Sequence, residues 1–254
     1  MLLAIDMGNT NIVISCMDGR NIAFVERIST DISRTELEYA ISFKMVFELH
    51  GIDSDSIDGA ILSSVVPPLT NVISHAVEKI TGNKPMIVGP GIKTGLNIHM
   101  DDPGSVGSDL IVGAVAAIGR YGAPVTIIDL GTATTIAVID RKGSYAGGII
   151  IPGVRASLEA LASSTSQLPK IGLDIPKHVI GKNTVDSMKS GIVLGNAAMI
   201  DGMIDRIHEE LGYETNVVAA GGIARLIIPA CKHRILIDDE LLLHGLGIVY
   251  HKNH

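Results

Sequence analysis

The chain has 254 residues, of which 46% are hydrophobic and 19% charged, and its formal net charge is −7. This composition excludes a disordered protein, and an acidic chain without a basic cluster is not expected to bind nucleic acid. No apolar run reaches the ~18 residues that a membrane span needs, and no basic N-terminal segment precedes a cleavage site. We therefore expect a cytoplasmic protein without a membrane partner. Cys16 and Cys231 have no metal-binding spacing and are expected to be buried small apolar residues.

The N-terminal segment predicts a β-hairpin with an acid at its bend. An apolar strand runs to Asp6, the segment Gly8-Asn9-Thr10 can turn the chain, and Ile12-Val13-Ile14 continues as the returning strand. Glycine lets backbone N–H groups approach a phosphate, and a carboxylate can hold hydrated magnesium beside it. The hairpin therefore suits the polyphosphate of a nucleotide, although a single Asp-x-Gly is more often ordinary turn chemistry.

The same pattern recurs about half a chain later at Asp129-Leu-Gly131-Thr132, followed by a returning strand to Val138. An internal repeat of this length predicts two similar domains, which we place at residues 1–120 and 121–254. A duplicated hairpin of this kind resembles the actin, sugar-kinase and chaperone-ATPase superfamily. The resemblance implies an α/β fold of two actin-like (ribonuclease H-like) domains, each a mixed β-sheet flanked by helices, with a nucleotide between them.

The first half of the chain predicts the order β-β-β-α-β-α-β. A capping box at Ser33-Arg-Thr-Glu36 opens the first helix, which runs to His50. The other elements are a third strand near 22–28, a strand at 57–66, a helix at 67–82 and a strand at 86–88. Residues 89–109 break the periodicity, and a loop of this length inside a compact domain is usually functional. A helix over 109–122 follows.

The second half repeats the pattern after its own hairpin. A glycine-rich strand and loop cover 145–153, and a short helix covers 157–162. Thr184 is the expected N-cap of a long helix to Leu211, and a helix N-terminus there can bind a polar or anionic group. A strand from Val217 ends at Gly221-Gly222, a shape that suits a backbone lying against flat adenine. A strand at 235–237 and a helix at 240–250 close the second sheet.

Seven motifs in order resemble those of type III pantothenate kinases, the first enzyme of coenzyme A synthesis in many bacteria. They are Asp6-Met-Gly-Asn-Thr10, Pro90-Gly-Ile-Lys-Thr-Gly95, Gly107-Ser-Asp109, Asp129-Leu-Gly-Thr-Ala-Thr-Thr135, Gly147-Gly-Ile-Ile-Ile-Pro-Gly153, Ile180-Gly-Lys-Asn-Thr184 and Gly221-Gly222. The resemblance covers nearly the whole chain. It implies phosphorylation of pantothenate to 4′-phosphopantothenate with ATP as donor, Mg²⁺, a monovalent cation (K⁺ or NH₄⁺), and a homodimer with the active site at its interface.

The resemblance also implies a role for each matching position. Asp109 would be the general base for the pantothenate hydroxyl, Asp6 would hold magnesium through water, and Asp129 would bind the monovalent cation. The ATP-binding residues would be Asp6, Met7, Gly8, Asn9, Thr10, Asn11, Ile12, Val13, Thr132, Gly221 and Gly222. The substrate-binding residues would be Met100, Gly107, Ser108, Asp109, Leu110, Thr165 and Thr184, the two threonines contacting an acceptor bound mainly by the other subunit. The alternative role for Asp109 is an acid that stabilises a helix N-terminus.

Two substrate positions depart from the family pattern. The family has arginine after Gly-x-Asp, where this chain has Leu110, and an aromatic residue where it has Met100. An anionic substrate beside leucine lacks a charge-assisted contact of roughly 1.5–3 kcal/mol. Four side chains can supply the charge instead, namely Lys93, His99, Arg155 and Lys182. The alternatives to a pantothenate kinase are a kinase for another small hydroxyl acceptor and a catalytically weak regulatory relative.

Overall fold

The computed structural model describes residues 1–19 and 21–254. The strands within these residues are β1 (Leu2–Met7), β2 (Asn11–Asp18), β3 (Asn21–Ser29), β4 (Gly59–Ser64), β5 (Met86–Ile87), β6 (Asn97–Ile98), β7 (Val125–Leu130), β8 (Ala133–Ile139), β9 (Ser144–Pro152), β10 (Asn216–Ala220) and β11 (Leu236–Ile237). The α-helices are α1 (Glu36–Leu49), α2 (Pro67–Thr81), α3 (Ser108–Tyr121), α4 (Val154–Ser163), α5 (Thr184–Lys189), α6 (Gly195–Leu211), α7 (Ala224–Ile227) and α8 (Leu241–Asn253).

The strands form two mixed sheets with the same internal order. The first sheet is β3-β2-β1-β4-β5, and the second is β11-β10-β7-β8-β9-β6. β1 is antiparallel to β2 and parallel to β4, and β7 is likewise antiparallel to β8 and parallel to β10. The order 3-2-1-4-5 therefore recurs as 9-8-7-10-11, which confirms the predicted duplicated α/β fold. The additional strand β6 was predicted as loop, because two residues are too few to produce a periodicity.

The chain divides into two compact units. The first contains Met1–Leu96, Asp101–Ala116 and Glu240–His254, and the second contains Asn97–Met100 and Ala117–Asp239. The C-terminal helix α8 belongs to the first unit, where the backbone of Gly245 lies directly against Val112 of α3. The division at residue 120 differs from these units in residues 97–100, 117–120 and 240–254. The predicted domain boundary at residue 120 therefore stays a prediction.

The first sheet is covered on both faces by helices of its own unit. Because side chains alternate along a strand, Leu3 and Ile5 of β1 face one side, where Phe43 of α1 packs with them in a buried cluster. Leu2 and Ala4 face the other side and join a cluster built by α3 and α8. The even-numbered side chains of β1 therefore point toward the face that α3 covers.

The first helix begins two residues later than the sequence pattern predicts. Two overlapping windows fit a capping box, and the structure uses Thr35 and Glu38: the Glu38 carboxylate accepts the Thr35 N–H at 2.7 Å. The predicted cap, Ser33, instead donates its hydroxyl to Asp31 at 2.6 Å. Glu36 forms an ion pair with Lys79 of α2. The prediction of Ser33 as the cap was wrong because Asp31 binds that hydroxyl locally, in the manner of an Asx turn.

The predicted helix from 184 to 211 also begins differently. Asn183 is the N-cap, its side-chain oxygen accepting the Asp186 N–H at 2.9 Å, and Thr184 is the first helical residue. A π-helical turn, Ser190–Leu194, separates α5 from α6. The prediction of Thr184 as the cap was therefore wrong, since asparagine caps at least as well as threonine and stands one position earlier.

Cys16 is buried as predicted, and burial raises the pKa of its thiol to about 12. Cys231 is half-buried, and burial likewise raises its pKa to about 12. Among residues 1–19 and 21–254, no helix is long and apolar enough to cross a membrane.

Thr134 of β8 carries a buried hydroxyl that has no hydrogen-bond partner among the described residues. We expect Thr134→Val to raise the free energy of unfolding by about 1 kcal/mol, because it removes an unsatisfied polar group from an apolar environment. Urea denaturation followed by circular dichroism measures the change. Thr135→Val, on the next and half-buried position, is the matched control and should change stability by less than about 0.5 kcal/mol. A destabilised Thr134→Val would contradict this account.

Candidate active site

Three segments of the first unit meet at the edge of its sheet where the carboxyl ends of β1 and β4 lie side by side. Asp6 near the end of β1 lies beside Ser63 of β4 in the parallel register. The hydroxyl of Ser108, the first residue of α3, lies 3.1 Å from the Ser63 hydroxyl and donates to the Ser64 carbonyl at 3.1 Å. The Ser64 N–H in turn donates to Ser108 Oγ at 3.2 Å. The start of α3 is therefore attached to the end of β4, one strand away from Asp6.

Asp6 and Asp109 belong to the same face of this sheet. Asp6 is half-buried and follows Leu2 and Ala4 in the even positions of β1, whose cluster includes Val112 of α3. Asp109 lies in the first turn of α3, on the helix that covers this face. The structure therefore places Asp6 and Asp109, the residues that the sequence analysis assigns to magnesium and to base catalysis, on elements that share one face of the first sheet.

The carboxylate of Asp109 is folded back on its own helix terminus. Its Oδ1 accepts the Leu110 N–H at 2.9 Å, and a Cβ atom on Gly107 would overlap this oxygen. Burial raises the pKa of Asp109, and the hydrogen bond from Leu110 only partly offsets that effect. The carboxylate thus satisfies an N-terminal amide of α3 and is also a desolvated, more basic group than an exposed aspartate. Glycine at position 107 leaves room for the Asp109 carboxylate in this conformation.

The first bend is tied to its own hairpin and to the next strand. The Gly8 N–H donates to the Asn11 carbonyl at 2.9 Å, and Thr30 Oγ1 donates to the Gly8 carbonyl at 2.7 Å. The Gly8 amide is therefore engaged within the hairpin. Asn9, Thr10 and Asn11 are exposed, Val13 is half-buried, and the side chains of Met7 and Ile12 lie in the core. Met7 and Ile12 can contact a ligand only through their backbones.

The second bend lies beside the start of a helix. The Gly131 N–H donates to the Ala133 carbonyl at 3.0 Å, and Thr132 is exposed. A Cβ atom on Gly153 would overlap the Thr132 carbonyl, so the turn before α4 lies directly against this bend. α4 has no side-chain cap, and its first N–H groups favour an anion. The sequence analysis began this helix at residue 157, three residues too late, and therefore did not assign its N-terminus.

Gly221 lies against the carboxylate of Asp129. β10 runs parallel to β7, and Ala220 pairs with Asp129 in register. Gly221 has φ +98°, and a Cβ atom there would lie 2.5 Å from Asp129 Oδ1 and 2.6 Å from the Leu130 carbonyl oxygen. A side chain at Gly221 would therefore disturb Asp129. Gly222 has open space where a side chain would stand.

The remaining predicted substrate residues are distributed over both units. Leu110 follows Asp109 in the first unit and is half-buried, whereas Met100 belongs to the second unit and is 37% exposed. Thr165 Oγ1 donates to the Leu161 carbonyl at 3.0 Å. Thr184 lines a cavity of about 760 Å³.

The four candidate cations have different surroundings. Lys182 lines the same cavity as Thr184. Arg155 lines another cavity of about 550 Å³ together with a second cation, Lys170. The backbone N–H of Lys93 donates to the Asn253 side chain at 2.9 Å, and the His99 ring lies 2.7 Å from the Asn97 amide nitrogen. Of the four candidate cations, Lys182 is thus the one that lines a cavity together with a predicted substrate residue, Thr184.

Asp6 and Asp129 are the two carboxylates that the sequence analysis assigns to metal binding. Within residues 1–19 and 21–254, no three side chains of His, Cys, Asp or Glu gather into a group that could hold a metal ion. Magnesium in nucleotide sites commonly takes one or two carboxylates, with phosphate oxygens and water completing its shell. The Asp6 carboxylate at the sheet edge fits that donor set, and Asp129 with the nearby Leu130 carbonyl offers the oxygen ligands that a hard cation prefers.

Solved structures with the same fold include a Campylobacter jejuni protein described as a Baf family transcriptional activator, with a TM-score of 0.61 and 15% identity over 99% of this chain and 98% of that one. The inorganic polyphosphate/ATP-glucomannokinase of Arthrobacter sp. strain KM has a TM-score of 0.51 and 16% identity, covering 100% and 99%. At these identities the likeness shows the fold alone, which is that of the actin-like sugar kinases.

Sequence relatives cover the whole chain. The type III pantothenate kinase of Exiguobacterium sp. is 45% identical over 253 residues, which is 100% of this chain and 99% of the relative. The type III pantothenate kinase of Myxococcus xanthus is 44% identical over 254 residues, covering 100% and 99%. The family model described as "Type III pantothenate kinase" matches residues 2–206 of this chain. These matches span the edge of the first sheet and both bends, and the chain belongs to the type III pantothenate kinase family.

Proposed function

We propose that this chain is an ATP-dependent kinase that phosphorylates pantothenate to 4′-phosphopantothenate, the first step of coenzyme A synthesis. Membership of the family over the full length of the chain supports this reaction. The structural observation that carries it is the sheet edge at which Asp6 and Asp109 share one face. A kinase needs a carboxylate for the phosphate-bound metal and another for the acceptor hydroxyl.

In this reaction the primary hydroxyl oxygen of pantothenate attacks the γ-phosphorus of ATP. The bond from that phosphorus to the bridging oxygen of ADP breaks, and the hydroxyl proton passes to the carboxylate of Asp109. Phosphoryl transfer requires mainly positioning and neutralisation of charge, so one carboxylate within reach of the hydroxyl is sufficient. The desolvation that raises the pKa of Asp109 suits it to accept the proton.

The phosphates of ATP are assigned to the two bends. Residues 6–13 would bind through the backbone and through the exposed side chains of Asn9 and Thr10. Thr132 would bind from the second bend, with support from the uncapped N-terminus of α4 beside it. Gly221 and Gly222 would contact adenine, and Gly222 has open space where a side chain would stand.

Asp6 would hold Mg²⁺ through water at the phosphates, where the ion neutralises the charge of the transferring group. Asp6→Asn is expected to lower kcat by about 10²-fold or more without unfolding the protein, because the amide keeps the shape but loses the charge. Asp18→Asn, at the exposed far end of the same hairpin, is the control and should leave kcat unchanged. Steady-state rates at saturating ATP over a magnesium titration provide the measurement. Near wild-type activity in a folded Asp6→Asn protein would remove Asp6 from this role.

Asp129 would bind a monovalent cation together with neighbouring backbone carbonyls. We expect the rate to rise with potassium or ammonium and much less with sodium, since a site of fixed oxygen ligands discriminates between ions by size. Rates measured in the three chloride salts at equal ionic strength test this. Equal rates in all three salts would contradict a cation site at Asp129. Asp129 would then only form part of the Asp-x-Gly bend of its hairpin, as Asp6 does in the first hairpin.

A homodimer would complete the acceptor site, with Thr165 and Thr184 supplied mainly by the second subunit. The surface before α5 supports this assignment, because Val179 is 75% exposed and Ile180 is 82% exposed. Large apolar side chains with this exposure, close in sequence to Thr184, are typical of the core of a subunit interface.

The full-length relatives favour pantothenate over the alternative acceptor, another small alcohol, and Leu110 is a position at which this preference needs a test. Leu110 beside Asp109 is apolar where a charged acceptor would gain from a cation. ADP release measured with a panel of hydroxyl acceptors, including pantothenate and its neutral alcohol analogue, separates the two functions. Preference for pantothenate supports the proposal, and turnover of other acceptors alone would replace it. ATP binding with no turnover of any acceptor would favour a regulatory relative.

A further inference from the structure

The residue that follows β3 lies against the first bend. Thr30 comes directly after Ser29, the last residue of β3, and is half-buried. Its side-chain hydroxyl donates to the Gly8 carbonyl at 2.7 Å, and its backbone N–H donates to the Thr10 carbonyl at 3.0 Å. One residue outside the predicted ATP-binding set therefore holds two carbonyl groups of the phosphate bend.

These contacts change how the first hairpin closes. A four-residue turn often closes with a hydrogen bond from the N–H of its last residue to the carbonyl of its first. Here the Gly8 carbonyl accepts the Thr30 hydroxyl, and within residues 1–19 and 21–254 the Asn11 N–H makes no bond to that carbonyl. The Gly8 N–H donates to the Asn11 carbonyl at 2.9 Å. The turn backbone therefore closes the bend with one hydrogen bond, and Thr30 supplies two more.

Peptide geometry relates the positions of these carbonyls to the directions of the neighbouring N–H groups. The C=O and N–H of a trans peptide unit lie in one plane and point in opposite directions. The Gly8 carbonyl shares its peptide unit with the Asn9 N–H, and the Thr10 carbonyl shares its unit with the Asn11 N–H. Because both carbonyls point toward Thr30, both N–H groups point away from it. Backbone N–H groups held in a fixed direction at a bend can bind an anion.

The position of Thr30 is supported by a buried side chain of α1. The Tyr39 hydroxyl accepts the Asp31 N–H at 2.9 Å and donates to the Asp31 carbonyl at 2.8 Å. The Tyr39 side chain lies fully buried in the core of the first unit, where close packing restricts its movement. One hydroxyl therefore holds both backbone groups of the residue after Thr30, and a continuous series of contacts leads from the core to the phosphate bend.

We propose that Thr30 is a positioning residue for the phosphates of ATP and that Tyr39 holds it in place. Thr30 fixes the direction of the Asn9 and Asn11 amides, which the bend presents to the phosphate oxygens, without contacting the nucleotide itself. A bend with aligned amides binds an anion more tightly, because binding does not have to order them. The inference rests on the proposed function for ATP as the ligand and does not depend on the acceptor.

The first test is the affinity for a non-hydrolysable ATP analogue with Mg²⁺, measured by isothermal titration with the full chain. Thr30→Val keeps the side-chain shape and the N–H bond to Thr10, but it removes the hydroxyl from the Gly8 carbonyl. We expect the Kd to rise about three- to tenfold, the effect of about one hydrogen bond, and Thr30→Ser to change it by less than about twofold. Thr81→Val is the matched control, because the Thr81 hydroxyl donates to the Val77 carbonyl at 2.9 Å at the end of α2, and it should leave the Kd unchanged.

Steady-state rates separate positioning from a general effect on the fold. In Thr30→Val the KM for ATP should rise by the same factor as the Kd while the KM for pantothenate stays near the wild-type value, because only the phosphate bend is altered. Equal increases in both KM values would contradict the inference. A folded Thr30→Val chain with the wild-type Kd would overturn it and leave the proposed function intact, whereas a wild-type chain that binds no ATP analogue would refute the proposed function as well.

The second test removes the support of Thr30. Tyr39→Phe keeps the buried ring and deletes the hydroxyl that binds Asp31. The Kd for the ATP analogue should rise severalfold, and the double variant with Thr30→Val should show less than the product of the two single effects, because both changes act on the same bend. An unchanged Kd in Tyr39→Phe, or effects that multiply fully, would contradict the role of Tyr39.

Discussion

Asp109→Asn is expected to lower kcat for pantothenate by about 10²- to 10⁴-fold, the usual contribution of a general base. The amide can still accept the Leu110 N–H, so the start of α3 keeps its geometry while the proton acceptor is lost. The KM for ATP should stay near the wild-type value, because the ATP residues are elsewhere on the hairpins. Initial rates at saturating ATP and pantothenate provide the measurement.

The same substitution has a second expected effect, on stability. Burial raises the pKa of Asp109 in the folded protein above its usual value of 3.8. A raised pKa means that the fold favours the protonated form, and this contribution is lost as pH rises through the folded-state pKa. At pH 7 the ionised carboxylate therefore costs stability, and Asp109→Asn should have a melting temperature equal to or slightly above that of wild type.

The raised pKa also sets the acid limb of the activity profile. Activity should fall as pH drops through the folded-state pKa of Asp109, which lies above 3.8, because the base becomes protonated. The expected combination is lost activity with unchanged or higher stability. An Asp109→Asn protein that keeps activity within a few-fold of wild type would leave Asp109 with the helix-terminal role alone.

Leu110→Arg is expected to lower the KM for pantothenate by about ten- to over a hundredfold, the equivalent of one charge-assisted contact of ~1.4–3 kcal/mol. Arginine offers a planar fork of donors to a carboxylate, and leucine offers only apolar contact. Leu110 is half-buried, so the longer side chain has an outlet toward solvent. Turnover at saturation should change little, because Asp109 and the bends are untouched. Leu110→Met, uncharged and similar in volume, is the control.

A relocated charge would produce a different pattern. If wild type already binds pantothenate tightly and Lys182→Ala weakens that binding, the cation that lines the Thr184 cavity has taken the place of the arginine. Leu110→Arg would then leave the KM unchanged or raise it. Isothermal titration of pantothenate into the three proteins, with a non-hydrolysable ATP analogue present, separates the two outcomes.

The duplicated bends made the fold predictable from sequence. Asp6-x-Gly8 and Asp129-x-Gly131 are local signals, since each needs only a strand end, an acid and a glycine, and each lies where predicted. The motif Gly107-Ser-Asp109 predicted a helix beginning at Asp109, and Asp109 lies in the first turn of α3. These features could be predicted because each depends only on residues close together in the chain, which a sequence motif contains.

The features that sequence could not supply depend on competition or on distant partners. Ser33 and Thr35 both fit a capping box, and only the hydrogen bond to Asp31 decides between them. Gly221 stays a predicted ATP contact, and its approach to Asp129 could not be predicted because it depends on the parallel register of two strands far apart in sequence. Helix α8 joins the first unit because Gly245 allows close contact with Val112.

The most direct test of the central claim is identification of the product formed from pantothenate and ATP labelled in the γ-phosphate. The proposed reaction predicts that label passes to the primary hydroxyl of pantothenate in a reaction that depends on the wild-type chain, with Asp109→Asn showing little transfer under the same conditions. Transfer to water alone, or equal transfer by both proteins, would contradict the account.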